Sequence, residues 1–425
     1  MIRTRNSNLL GKITVLVVIC CCCFSAEGKY GGGSGTPEDP YQIWDANHLQ
    51  SIGADVNDWD KCFRLMVDID LSGYTGTQFK SIDQFTGQFD GAGHRIMRLT
   101  LEGRSFAGLF GYLGNGGVIR NLGLEDIHVS GDSFVGGLVG FNDGSIVQCY
   151  CTGVVSGHYH VGGLVGLQDR TSSIRDSYSE TLVIGLWYTG GLVGENWGGL
   201  ILKSYSAGSI LGWSWAGGLI GHNNLGLVAE CHSSSTVTGQ DYVGGLAGSN
   251  SSYISECYSC GSVDGSFCVG GLVGWNYGEN SSIRNSYSTG TVYGSYQYVG
   301  GLVGNNGSYI RDCYSAGSVS SETPYVGGLV GDGTYNSQTE NSYWDTDTSG
   351  QLASYGGKGK TTSQMRRQST FQNWDFINTW NIGENQTCPY LRVCLPSDIN
   401  KDGIVNFLDL SITANQWMEG DITDE

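Results

Sequence analysis

The chain repeats one short pattern of small and apolar residues along most of its length. A unit ending in Gly-Leu-apolar-Gly occurs nine times, and its first and last leading glycines, Gly108 and Gly328, lie 220 residues apart. Over eight intervals this is a mean period of 27.5 residues, with single intervals of 26 to 30. Such variation confines insertions to turns. The leucine never changes: Leu109, Leu138, Leu164, Leu192, Leu219, Leu246, Leu272, Leu302 and Leu329.

Two further apolar positions recur in the repeat. An aliphatic residue such as Ile146 stands four residues before an aromatic residue such as Tyr150, and another aliphatic residue, Val155, follows five residues later. This spacing predicts three short β-strands for each repeat, separated by Gly, Ser and Asn, and fits no amphipathic helix. Spacings of four and then five residues cannot both keep the alternation of a single strand, so the chain must bend within the repeat. The pattern does not give the position of this bend.

A repeat with three apolar points cannot bury them alone, but stacked repeats can, at the inter-strand spacing of about 4.8 Å. The sequence therefore predicts an all-β fold, a parallel β-solenoid that forms a right-handed β-helix with one repeat per coil. The alternative is a propeller or prism, although a propeller blade usually needs about 40 residues. We expect the paired glycines to allow tight corners with positive φ.

An asparagine follows the closing glycine by two positions in six of the repeats. Stacking of the repeats would place these amides above one another, which predicts a hydrogen-bonded ladder along one bend. Its members are Asn142, Asn196, Asn223, Asn250, Asn276 and Asn306.

These repeats resemble the GLUG motif family of exported bacterial proteins. The resemblance covers residues 106–345, through the nine motifs and a recurring Ser/Cys-Tyr-Ser segment. Residues 29–105 then form an N-terminal cap and the first coils. Residues 346–393 resemble the closing segment of the family, and a solenoid needs such a cap because its end exposes unpaired strand edges.

The N-terminal residues 1–28 are typical of a signal peptide. Basic residues at Arg3, Arg5 and Lys12 precede an apolar run of twelve, Ile13 to Phe24, and small residues allow cleavage after Gly28. A membrane span needs about 20 apolar residues, so the sequence predicts an exported chain, extracellular or on the cell surface, with no membrane span. The net charge of −18 disfavours nucleic acid and anionic lipid as partners.

Residues 398–409, DINKDGIVNFLD, have the spacing of a calcium-binding loop. With residues 394–425 they resemble half of a type I dockerin, which implies bound Ca²⁺ and a cohesin-like partner contacting residues 398–418. Dockerins usually have two such loops, and one is present here, so pairing with another copy or a role as a sorting tag are alternatives to cohesin binding. The predicted ligands are Asp398, Asn400, Asp402, Ile404 through its carbonyl, Asn406 and Asp409.

A catalytic role has weaker support in the sequence. Four carboxylates share one repeat position, but Gln148, Lys203 and Asn285 occupy the same position in other repeats, as in a tolerant solvent-facing column. The pair His158 and His160 has no carboxylate or cysteine beside it in the sequence. Disulfide pairing among the ten cysteines after residue 28 is open. The four carboxylates are Asp176, Glu230, Glu256 and Asp312.

Aromatic residues just before the motif suggest a binding function. Rings in line at the coil spacing could stack on sugar rings, or they could stack on one another and cover a corner of the coil. We therefore predict a non-catalytic binding or adhesion platform for polysaccharide or an envelope component. The alternatives are a polysaccharide hydrolase or lyase, and a spacer. The candidate ligand-binding rings are Tyr188, Trp215, Tyr242, Tyr298 and Tyr325.

Overall fold

The computed structural model describes residues 29–335 and 337–392. The predicted signal peptide, the calcium loop and the dockerin-like segment lie outside these residues. Within them the chain winds into stacked parallel coils, which confirms the predicted β-solenoid. Helices are short in this part of the chain. The α-helices are Ala46–Ala54, Thr346–Ser349 and Thr362–Met365, and the 3-10 helices are Val56–Asp58 and Gln368–Thr370.

The first sheet contains 12 parallel strands, one from each successive coil. Each repeat enters it through its first aliphatic residue, so Ile146 pairs in register with Ile174 of the next coil. The strands are Tyr41–Ile43, Cys62–Leu65, Gln88–Asp90, Val118–Arg120, Ser145–Val147, Ser173–Arg175, Leu200–Leu202, Leu227–Ala229, Tyr253–Ser255, Ser282–Arg284, Tyr309–Arg311 and Gln338–Glu340.

The second sheet contains 24 strands, because most coils contribute more than one segment. Its strands are Ile69–Asp70, Arg95–Met97, Thr100–Arg104, Gly123–Gly131, Ser133–Gly136, Tyr150–Ser156, Tyr159–Gly162, Tyr178–Ile184, Trp187–Gly190, Tyr205–Ser206, Ser209–Leu211, Ser214–Gly217, His232–Ser233, Thr236–Thr238, Asp241–Gly244, Tyr258–Ser259, Val263–Gly270, Tyr287–Ser288, Val292–Gly300, Tyr314–Ser315, Val319–Ser321, Val326–Gly327, Tyr343–Asp345 and Lys358–Lys360.

The third sheet contains nine strands, each of which begins just after the invariant leucine. A separate antiparallel pair, Trp380–Asn381 with Tyr390–Leu391, belongs to the C-terminal cap. The nine strands are Phe110–Leu113, Val139–Asn142, Val165–Gln168, Val193–Trp197, Ile220–Asn224, Ala247–Asn250, Val273–Asn276, Val303–Asn306 and Val330–Gly333.

The core is a continuous apolar column along the solenoid, and every motif leucine in it is fully buried. The motif glycines allow the backbones of neighbouring coils to approach closely. A Cβ on Gly163 would lie 2.2 Å from the carbonyl oxygen of Gly191 in the next coil. None of the motif glycines has a positive φ, so the expectation that they supply left-handed corners is wrong.

Non-glycine residues form the left-handed corners instead. One corner lies between the first aliphatic and the aromatic position, where Gln148 has a φ of 53°, and this is the bend that the pattern left open. The left-handed region costs a side-chain-bearing residue roughly 1–2 kcal/mol, which the stacked coils must offset. The members of this column are Asn121, Gln148, Asp176, Lys203, Glu230, Glu256, Asn285, Asp312 and Asn341.

The predicted asparagine ladder is present from Asn196 to Asn306 but not at Asn142, whose buried Nδ2 has no hydrogen-bond partner and whose neighbour in the next coil is Gln168. The amide Nδ2 of Asn196 donates to Oδ1 of Asn223 at 3.0 Å, and Asn223 donates to Asn250 at 2.8 Å. The chain continues from Asn250 to Asn276 at 2.9 Å and from Asn276 to Asn306 at 2.8 Å. These amides are fully buried, so each hydrogen bond also satisfies a polar group that has no access to water.

One buried position of the repeat is occupied by either cysteine or serine. The Cys149 thiol donates to the carbonyl oxygen of Val147 at 3.3 Å, and the Ser177 hydroxyl makes the equivalent bond to Arg175 at 2.8 Å. This shared bond explains the Ser/Cys-Tyr-Ser segment. No two of the nine described cysteines form a disulfide, and Cys394 lies outside the described residues.

Candidate functional site: an aromatic row and its terminal cleft

The second left-handed corner of each coil carries an aromatic row along one edge of the solenoid. Its backbone is left-handed at every coil from Phe106, with a φ of 55°, to Tyr298, with a φ of 62°. This corner lies two residues before the paired glycines in nearly all repeats, and it turns the side chain away from the core. The members of the aromatic row are Phe106, Phe134, His160, Tyr188, Trp215, Tyr242, Tyr298 and Tyr325.

Rings in the first part of the row stack face to face. The ring centroids of Tyr188 and Trp215 are 4.9 Å apart at an interplanar angle of 16°, and those of Trp215 and Tyr242 are 5.4 Å apart at 12°. Three of the candidate ligand-binding rings therefore lie together. Because each covers its neighbours, only ring edges face solvent there, which disfavours stacking of a sugar on an interior ring.

The row changes character after Tyr242. Cys268 occupies the next corner, with a φ of 53°, and Phe267 lies edge-on to Tyr242 and to Tyr298. Tyr298 and Tyr325 are 6.3 Å apart at an angle of 75°, so the structure separates them from the stacked part. Ligand binding by the five candidate rings stays a prediction.

A polar cluster lies beside the row at its centre. Glu195 Oε2 is 3.0 Å from His160 Nε2, and Glu195 Oε1 is 3.2 Å from His222 Nδ1. His222 Nε2 is 2.9 Å from the hydroxyl oxygen of Tyr277, which extends the chain of hydrogen bonds. The side chains of His160, Glu195 and His222 are only 18%, 12% and 9% exposed. We call these four residues the histidine–glutamate cluster.

Electrostatics in the histidine–glutamate cluster favour an ionised carboxylate. Burial by itself would raise the pKa of Glu195, but the hydrogen bonds from His160 and His222 outweigh it and lower the pKa to about 2. Each carboxylate oxygen of Glu195 lies within hydrogen-bond distance of an imidazole nitrogen, so the cluster links side chains of neighbouring coils. In the described part of the chain, no group of three or more His, Cys, Asp or Glu side chains is placed to hold a metal ion.

Glu195 and His222 were not predicted to meet, although the sequence contains a signal for this cluster. Glu195 and His222 both follow the closing glycine of the motif by one position, and they pair in register in the third sheet. Alignment of that position would have placed them on adjacent coils. His160 belongs to the aromatic row, so its partner lies across a corner that the pattern did not locate.

A cleft of about 730 Å³ opens at the N-terminal end of the aromatic row. Phe106 is the first ring of the row and is 40% exposed. It stacks on Phe134 at a centroid distance of 4.8 Å, and within the described residues no ring stacks on its other face. Trp59 and Tyr112 add further aromatic surface, so the cleft contains the open face that the interior rings lack.

Charged groups line the same cleft. The guanidinium of Arg104 lies 2.5 Å from Asp83 Oδ1, with side-chain exposures of 36% and 52%. The amide of Gln84 and the hydroxyl of Ser105 also line the cleft. An open ring face beside hydrogen-bonding groups on one wall is an arrangement that suits a sugar, which has an apolar face and a polar edge.

The four carboxylates of the catalytic alternative all lie on the first corner column. Lys203 Nζ is 3.7 Å from Glu230, and Asp312 is 3.2 Å from Nε of Arg311. Burial, followed by the charge of Glu230, raises the pKa of Glu256. This column is separate from the cleft. Among the described carboxylates, only Asp83 lines the cleft.

The two histidines of the HxH pair lie apart, since His158 is exposed and His160 is largely buried. His158 Nδ1 is 2.8 Å from Asp132 Oδ1, whereas His160 turns to Glu195, so the two histidines of the HxH pair do not converge. The predicted calcium ligands fall outside the described residues. No described helix is long and apolar enough to cross a membrane.

Comparisons with known proteins support the repeat assignment. The family described as the GLUG motif matches residues 265–293 and 295–320, which supports the resemblance to the GLUG repeat family. Halomucin of Haloquadratum walsbyi is 35% identical over 141 residues, 30% of this chain and 2% of halomucin. A protein named as a candidate Gly-rich membrane protein of Evansella cellulosilytica is 32% identical over 163 residues, 34% of this chain and 19% of that protein.

The chain spans less than a fifth of the length of these two relatives. Among solved structures, it is similar to a crystal structure of a candidate immunoglobulin A1 protease from Bacteroides ovatus. That comparison has a TM-score of 0.38 and 20% identity, and it covers 87% of this chain and 97% of the other.

Proposed function

We propose that this protein is an exported, non-catalytic repeat protein that binds polysaccharide at the cell surface or outside the cell. The observation that carries the proposal is the cleft at the end of the aromatic row. It combines the open face of Phe106 with the charged pair Asp83 and Arg104. The solenoid holds these groups on a rigid scaffold of stacked strands, so little order has to be gained on binding.

The charge of the chain favours a neutral polysaccharide. With a net charge of −18, the protein repels polyanions at long range. A neutral sugar avoids this repulsion while its hydroxyl groups bond to Asp83, Arg104 and Gln84. Halomucin and a Gly-rich membrane protein are similar to part of this chain, and their names are consistent with a role at the cell envelope.

The attachment part of the proposal depends on the sequence alone. Residues 398–409 would bind Ca²⁺, and the segment 398–418 would contact a cohesin-like protein. Replacing Asp398 and Asp402 together by alanine should abolish calcium-linked protection of the tail from proteolysis. Equal protease sensitivity of the wild-type tail with and without calcium would refute the loop assignment.

Affinity electrophoresis through gels that contain neutral polysaccharides tests the binding function. Phe106→Ala should weaken retardation at least tenfold, because the open ring face is lost. Trp213→Ala is the matched control, since Trp213 is 52% exposed and does not line the cleft. Equal retardation of Phe106→Ala and wild type would contradict the proposed site.

The same incubations should be assayed for released reducing ends and unsaturated sugars. Retardation without release supports a binding platform. Release of sugars by the wild-type protein would overturn the non-catalytic proposal and favour the hydrolase or lyase. A protein that neither binds nor cleaves any polysaccharide of the panel would be a spacer.

A further inference from the structure

The outer face of the first sheet carries a second cleft, far along the chain from the terminal cleft. Tyr253, Ser282 and Tyr309 occupy the same outward position on three successive coils, in register. They line a cleft of about 620 Å³. Tyr253 is 49% exposed, whereas Ser282 is only 4% exposed and lies at the base of the cleft. We call this cleft the tyrosine slot.

The spacing of the coils sets the width of the tyrosine slot. Two inter-strand steps separate Tyr253 from Tyr309, which is about 9.6 Å at the backbone. Ser282, between them, has a small side chain, so no large side chain at that position stands beside Tyr253, and the Arg284 guanidinium lies over the Tyr309 ring as the opposite wall.

Polar groups line the slot in the pattern that a sugar requires. Arg284 lies with its guanidinium carbon 5.2 Å from the Tyr309 ring centroid, so a cation–π contact places it on the wall. Within the described chain Arg284 forms no ion pair, so its N–H groups are available to a ligand. Tyr309 is oriented by its own hydroxyl, which donates to Glu340 at 2.7 Å. Asn280 adds an exposed amide at the rim.

We propose that the tyrosine slot binds one pyranose ring of a neutral polysaccharide. Tyr253 would contact one apolar face of the sugar ring, and Arg284, stacked on Tyr309, and Asn280 would bond to its hydroxyl groups. Glu279 lines the same slot and disfavours an acidic sugar. The site shares its ligand class with the proposed function but uses none of the residues of the terminal cleft, so each can fail alone.

Titration calorimetry with neutral hexasaccharides of glucose, xylose, mannose and galactose tests the slot. To isolate it, the titrations use the Phe106→Ala background, which lacks the open ring of the terminal cleft. In that background one of the four sugars should still bind. Tyr253→Ala should weaken its binding at least tenfold, and Ser282→Tyr, which fills the slot, should abolish it. Tyr296→Ala is the control, because Tyr296 is 54% exposed and does not line the slot.

Ser282 is buried, so Arg284→Ala provides a second variant on an exposed side chain, and thermal unfolding shows that each variant is folded. Unchanged affinity in both Tyr253→Ala and Arg284→Ala would overturn the proposal, and so would the absence of binding to all four sugars. N-acetyltyrosinamide is the competing probe. Slot-dependent binding of this compound without sugar binding would assign the slot to an aromatic side chain of a partner protein and refute a glycan site.

Discussion

Two columns of rings run along this solenoid. They differ in how regular the rings are and in how far other residues bury them. The aromatic row mixes Phe, His, Tyr and Trp, and it breaks at Cys268. The tyrosine column runs along the second sheet and has neighbouring ring centroids 4.7 to 5.0 Å apart from Tyr150 to Tyr314. Its members are Tyr150, Tyr178, Tyr205, His232, Tyr258, Tyr287, Tyr314 and Tyr343.

The C-terminal cap covers the later half of the tyrosine column. Trp380, fully buried, lies 6.1 Å from the ring of Tyr314, and the Tyr314 hydroxyl donates to the carbonyl oxygen of Pro389 at 2.6 Å. Tyr150 and Tyr205, in the earlier half, are only half-buried. The same residue type therefore serves as a docking surface for the cap at one end and as a partly open ladder at the other.

The difference separates the scaffold from the proposed binding surface. A uniform ladder places equal rings at equal spacing, so neighbouring rings cover one another's faces and the gain is in stability. The aromatic row has an open ring face at Phe106, its first member. The histidine–glutamate cluster lies beside the centre of the row. Ligand chemistry is therefore expected where the repeat is interrupted or ends.

Removal of the cap contact should have the largest effect. Trp380→Ala deletes a fully buried ring, and large-to-small substitution of such a residue typically costs about 3–5 kcal/mol. Urea unfolding monitored by tyrosine fluorescence and circular dichroism measures the loss. The control Trp213→Ala, at a ring 52% exposed, should change stability by about 0.5 kcal/mol or less. Equal losses would mean that the cap does not stabilise the column.

Acid should lower the stability of the fold by protonating Glu195, which lies beside the centre of the aromatic row. Its folded pKa is about 2, below the ordinary value of 4.5, so its stabilisation is complete above pH 4.5 and is lost as the pH falls toward 2. We expect a loss of about 1–3 kcal/mol, absent in Glu195→Gln. Glu256→Gln is the control, because the raised pKa of Glu256 has the opposite sign. An unchanged acid profile in Glu195→Gln would show that the carboxylate is not held by the two histidines.

The smallest effect is expected at the one histidine of the tyrosine column. Burial lowers the pKa of His232 from 6.5 to about 3, so the unfolded chain binds more protons below pH 6.5 and stability falls there. The gain in free energy of unfolding from His232→Tyr should be about 1–2 kcal/mol larger at pH 5 than at pH 8. Thermal unfolding at the two pH values measures this difference. Tyr178→Phe, a substitution in the same column that removes no imidazole, is the control and should show no such gain.

The fold was largely predictable, because its causes are local and repeated. Invariant leucines, three apolar points and buried asparagines recur with the period of one coil, and stacking follows from the need to bury them. The positions of the corners were not predictable. They use left-handed non-glycine residues such as Gln148 and His160, and a propensity argument assigns left-handed corners to glycine.

The amino-acid sequence by itself determined the coil period, the all-β class, the amide ladder and the residues of the aromatic row. Each of these depends only on which side chains recur at a fixed spacing. Tertiary structure alone decided which groups meet across coils and corners. It placed His160 and His222 on Glu195, left the face of Phe106 open and set Tyr253 two coils from Tyr309. Such contacts depend on where the backbone turns, and a difference of one residue at a corner redirects a side chain to another face.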